Sequence, residues 1–205
     1  METTDEDKTD IQILSEYAKR TGREIYYNEK PYNSSRAHRY PKFRTEIFIP
    51  NNPSETSFFA CLYDTYRREG ENAVFSGTFI PVSSLKTVKF IIREKNILDR
   101  LSNIFGNKSY QTGNANFDSK VVIESENHTL MPKYLGNIKF QNLVLDSFKI
   151  RKSINISLNS IRADFIPGLK GKSQLCVYDK QGWFLERSEI DKLFDIIGAM
   201  QNIVN

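Results

Sequence analysis

The side chains best suited to metal or nucleophilic chemistry are His38, His128, Cys61 and Cys176, the only histidines and cysteines in the chain. A closed zinc site takes four such donors, usually in short paired spacings. None of these four has another within a few positions, so the sequence predicts no metal and no cofactor. A thiol at Cys176, between Leu175 and Val177, reads as a buried structural cysteine. Asp118, Glu124 and Glu126 could bind a cation or act as an acid and base. On an expected strand from Phe117 to Glu124, however, period two gathers these carboxylates on one side. Phe117, Val121 and Ile123 fall on the other, a pattern any half-buried strand produces.

Gly171-Lys172-Ser173 invites comparison with a phosphate loop. That loop needs a glycine where this chain has Ile166, and a helix directly after it. Leu175 to Tyr178 reads as strand instead, so the tripeptide is expected to be a turn.

The strongest candidate for function is a basic, aromatic stretch within residues 28–44. Arg36, His38, Arg39, Tyr40, Lys42 and Arg44 are its candidate binding residues. Cations there can neutralise phosphates or meet an anionic membrane surface, and aromatic faces can stack on unpaired bases. The competing reading is a solvated loop whose Tyr and Phe pack back on the body. No nucleic-acid signature accompanies the stretch.

These residues must be positioned by a body of 205 residues, with 14 Phe, 10 Tyr and a net charge of +4. Aromatic and β-branched residues at this level favour strands over an all-helical bundle. Met1 to Asp10 is acidic rather than basic-then-apolar, so no secretion signal is expected. No run approaches the roughly 20 apolar residues of a spanning helix. A soluble chain in a reducing compartment is expected: the cytoplasm, or the cytoplasmic face of a membrane.

Helices are predicted at 5–20, 96–105, 127–135 and 138–147. Another starts near a capping signal at Ser188 and Asp191 and carries Leu193, Phe194, Ile197 and Met200 on one stripe. Strands are predicted at 24–27, 45–49, 56–66, 73–80, 87–93, 117–124, 154–158 and 174–178. The pattern predicts an α+β fold in which mainly antiparallel sheet units are partly covered by short helices. Two lobes, 1–85 and 86–205, and one continuous domain are both compatible with it.

From Asn72 onward the order of elements resembles a family of bacterial domains without an assigned activity. The residues that carry the resemblance begin with Asn72-Ala-Val-Phe-Ser-Gly77 and the strand at 87–93. Asn116-Phe117-Asp118 then leads into Val121-Val-Ile-Glu-Ser125, followed by a helix and a final strand pair and helix. In that family the domain often follows membrane-anchoring helices, a segment this sequence lacks. The resemblance supplies no catalytic residues.

The sequence therefore points to a non-enzymatic binding or regulatory domain acting beside a membrane. The expected partner is a protein or an anionic membrane surface, with nucleic acid placed behind them. Two alternatives stay open. One is a hydrolase assembled across the fold from His128 or the 118–126 carboxylates. The other is a subunit of a protein assembly, the oligomeric state being unspecified.

Overall fold

A computed structural model describes residues 9–31, 43–52, 56–65, 74–83, 87–97, 99, 109–125, 128 and 131–204. Its strands are β1 (Tyr26–Pro31), β2 (Phe43–Pro50), β3 (Phe58–Asp64), β4 (Val74–Val82), β5 (Phe90–Glu94), β6 (Val121–Ser125), β7 (Asn155–Leu158) and β8 (Ser173–Asp179). All eight join one sheet in the order β1-β2-β3-β4-β8-β7-β5-β6. Every neighbouring pair is antiparallel. The fold is α+β, as the residue pattern predicts.

The sheet runs straight through the expected boundary at 85/86, because β4 pairs with β8 along seven residues from Ser76↔Asp179 to Val82↔Ser173. Gly77 makes this approach possible. A Cβ built there would lie 2.2 Å from the Val177 carbonyl oxygen and 2.5 Å from Tyr178 Cα. Only a residue without a side chain tolerates backbone that close.

One face carries the helices. Among the described residues these are α1 (Asp10–Arg20), α2 (Ala115–Asp118), α3 (Met131–Leu135), α4 (Ile138–Ser147) and α5 (Arg187–Val204). Helix α1 starts at a capping box: Thr9 Oγ1 accepts from the Gln12 amide and Gln12 Oε1 accepts from the Thr9 amide. It ends before Gly22, at φ 68°. Its Leu14, Tyr17 and Ala18 are buried at helical spacing. Helix α5 lies mainly over β4 and buries Ile190, Leu193, Phe194, Ile197 and Met200. It begins at Arg187, so Ser188 lies inside the first turn rather than capping it.

Sheet polarity holds α5 in place. Thr78 Oγ1 donates to the Leu193 carbonyl at 3.3 Å, and Ser76 Oγ donates to Gly182 O while accepting from the Phe184 amide. Tyr17 ties α1 to α5 by donating to Asp191 at 2.7 Å. Burial and the Asp191 carboxylate raise the Tyr17 pKa, so its hydroxyl remains a donor.

The opposite face is covered at its centre without a helix. Ile161, Ala163, Ile166 and Leu169, from the β7–β8 connection, form a second core with Phe58, Ala60, Leu62, Phe75, Phe79, Cys176 and Tyr178. Gly171 turns the chain back at φ 73° and Ser173 opens β8, so Gly171-Lys172-Ser173 is a turn.

The β4–β8 approach yields a direct stability prediction. Gly77→Ala should cost about 3 kcal/mol in denaturant unfolding, because backbone on β8 must move. Gly182→Ala, where an added Cβ meets nothing within 4 Å, should stay within about 0.5 kcal/mol of the parent. Equal effects at both sites would contradict the proposed packing.

Candidate functional site

The basic stretch identified in the sequence connects β1 to β2. Arg36, His38, Arg39, Tyr40 and Lys42 lie outside the described residues. Arg44 is inside β2, and its side chain turns to the face away from the helices. There it bonds Glu46 Oε1 through both Nε and Nη2 at 2.7 Å and lies 3.8 Å from Asp64. Lys30 and Asn28 reach the other Glu46 oxygen at 3.3 and 3.2 Å. The Glu46 and Asp64 side chains are only 6% and 0% exposed. Arg44 thus compensates two carboxylates that the sheet has desolvated, which is a structural task.

The face that carries the helices is different at the same end of the sheet. Phe43 and Thr45 of β2, Tyr63 of β3, Val74 of β4 and Trp183 before α5 line a cavity of about 670 Å³. Alternation decides this division: Phe43 and Thr45 point to one side of β2, Arg44 and Glu46 to the other. The Phe43 and Tyr63 rings are tilted, with centroids 5.7 Å apart. Trp183 is fixed by its Nε1–H, which donates to Leu62 O at 3.2 Å. Asp10 and Glu29 bring two carboxylates to the lining. Glu29 accepts hydrogen bonds from the hydroxyls of Tyr27 and Thr45 at 3.1 and 3.4 Å. The cavity therefore offers an apolar, aromatic interior with a polar rim, the usual chemistry of a binding pocket. It lies at the root of the basic connection, since Phe43 is the first described residue after it.

The other sequence candidates have separate fates. Phe117 and Asp118 are not in a strand: Asn114 caps α2 and the strand starts only at Val121. The Asp118 carboxylate accepts from the Thr112 amide, the Thr112 hydroxyl and the Gly113 amide at 2.9 to 3.0 Å. It closes the turn where Gly113 takes φ 87°. Glu124 is exposed on β6 and bonds Arg93 at 3.1 Å. Glu126 lies outside the described residues. His128 is exposed and meets Tyr110 edge-on at 5.5 Å. Among the described residues, no three His, Cys, Asp or Glu side chains converge on a metal position.

Cys61 and Cys176 are both buried and free, on opposite faces of the sheet. That placement rules out a disulfide between them in this fold. Burial pushes the Cys176 thiol up to about 12 despite its 3.1 Å hydrogen bond with Ser157, and Cys61 well above its ordinary value. Neither is a ready nucleophile, since thiolate is the reactive form.

No known protein family, curated sequence or solved structure matches this chain. Among the described residues no helix is long and apolar enough to cross a membrane.

The buried carboxylates on the face away from the helices predict a consequence of mutation. Arg44→Met should lower unfolding free energy by about 2 kcal/mol, because Glu46 and Asp64 lose their shared cation. Circular dichroism during urea titration measures it. A variant as stable as the parent would show that these carboxylates do not depend on Arg44.

Proposed function

We propose that this chain is a non-enzymatic binding domain that docks on an anionic membrane surface through the β1–β2 end of its sheet. The observation that carries the reading is the coincidence of two unlike features at one place. Arg36, His38, Arg39 and Lys42 are concentrated in a single connection, and an aromatic cavity opens beside the residue where that connection re-enters the sheet. Basic groups near an anionic leaflet each contribute about 1 kcal/mol of attraction. Tyr and Trp rings are at home at the level of lipid headgroups.

The hydrolase alternative has less support. Asp118 is committed to a turn and Glu124 to Arg93, while His128 contacts an aromatic ring. None of these side chains lines the aromatic cavity.

Binding can be read from the protein itself, because Trp183 is the single tryptophan and lines the cavity. Vesicles of mixed phosphatidylglycerol and phosphatidylcholine should shift Trp183 emission and pellet the protein, less so as salt rises. Arg36→Ala with Arg39→Ala should weaken this binding by about 30-fold, the equivalent of two basic contacts. Vesicles of phosphatidylcholine alone should not bind. Equal binding to both vesicle types, or no effect of the double substitution, would refute the reading.

A further inference from the structure

The two edges of the sheet are treated very differently. At the β6 edge, Ile123 is capped by the adjacent segment: its amide donates to Ser109 Oγ and its carbonyl accepts from the Tyr110 amide, both at 3.2 Å. At the other end of the order stands β1, with no described strand beyond it. All six of its residues are exposed. Tyr26 and Tyr27 are 40% and 47% exposed, two of the four large apolar side chains on the described surface.

The pairing of β2 shows which β1 groups face outward. Phe43 directs both its amide and its carbonyl to Thr65, and Asn51 donates to Ser57 O. Odd-numbered residues of β2 therefore bond toward β3, and even-numbered ones toward β1. Arg44, Glu46 and Phe48 oppose Lys30, Asn28 and Tyr26, so these even-numbered β1 residues spend their backbone groups on β2. Tyr27 and Glu29 point theirs away from the sheet. Pro31 is also outward, where its missing N–H costs the sheet nothing.

We propose that β1 pairs antiparallel with β1 of a second copy of this chain, about a two-fold axis through Asn28. The sequence is self-complementary about that residue. In this register Tyr27 opposes Glu29, twice by symmetry, and the outward amides and carbonyls of these residues exchange four hydrogen bonds. Tyr26 opposes Lys30 and Asn28 opposes itself. The only other register within the strand that pairs five residues on matching faces puts Glu29 against Glu29, which like-charge repulsion disfavours. Glu29 would thus receive Tyr27 of the other copy on the same side of the sheet as the aromatic cavity. The proposal does not depend on the membrane reading, since it uses only the backbone geometry of β1 and the pairing of its own side chains.

A single strand pair is a small interface, so a dissociation constant of roughly 100 µM is expected. Sedimentation velocity across a concentration series should show a monomer–dimer equilibrium in that range. Glu29→Pro removes an outward amide and leaves the β1–β2 bonds intact, so it should weaken the dimer at least tenfold while the monomer stays folded. As a check independent of any substitution, hydrogen exchange at the Tyr27 and Glu29 amides should slow as protein concentration rises, with Asn28 unchanged. Three results would overturn the proposal: a monomer at all concentrations, a dimer indifferent to Glu29→Pro, or Tyr27 and Glu29 amides protected equally at every concentration. The last would mean that another part of the same chain covers this edge.

Discussion

The close pairing of β4 with β8 is the contact on which the rest of the molecule depends. Without it the strands would form two four-stranded pieces, β1 to β4 and β8-β7-β5-β6. The seam requires Gly77 to accept Tyr178 and the Val177 carbonyl at distances no side chain would allow. Its other requirement is polar: Ser76 and Thr78, buried on the helix side, are satisfied by the backbone of Gly182, Phe184 and Leu193. The same residues that complete the seam therefore seat α5 over it, and α5 in turn holds α1 through Asp191 and Tyr17. A sheet joined this way must bury both faces at the seam, and it does so with helices on one and the β7–β8 connection on the other.

The candidate site lies between the starts of two of these helices. Helix α1 begins only at Asp10, beside the cavity, and α5 begins at Arg187, just past Trp183. Between these two helix starts Phe43, Thr45, Tyr63 and Val74 keep an aromatic hollow. On the reverse side of the same strands, Arg44 is occupied by Glu46 and Asp64. One connection thus feeds two environments through alternation alone. The first two residues of β2 after it, Phe43 and Arg44, part to the binding side and the structural side respectively.

Much of the framework is legible in the residues themselves. Alternating and continuous apolar runs locate most strands within two or three positions, and the Leu193, Phe194, Ile197 and Met200 stripe locates α5. The signals that mislead are local and have physical causes. Phe117 and Asp118 look like strand because Phe117 is aromatic and the β-branched run Val121 to Ile123 follows. Asn114 nevertheless caps a helical turn, and three donors from Thr112 and Gly113 claim the Asp118 carboxylate. Asn28 to Lys30 carry no apolar alternation, yet β1 extends through them because β2 supplies the hydrogen bonds. Thr9 and Gln12 form a readable capping box that marks the start of α1 more sharply than the acidic run before it. The pairing of strands separated by nearly half the chain leaves no short-range trace, and neither does the cavity. Arg44 shows the limit best: its charge is evident in the sequence, while the two buried carboxylates that claim it are evident only in three dimensions.

The β4–β8 seam is expected to make the two halves of the sheet a single cooperative structure that presents the β1–β2 end on a rigid base. Native-state hydrogen exchange with increasing denaturant tests this directly. The amides of Ile47 and Phe59 on one side of the seam, and of Ile92 and Ile156 on the other, should converge on one opening free energy. Opening of either group in a separate, lower-energy step, while the other remains protected, would contradict that cooperativity.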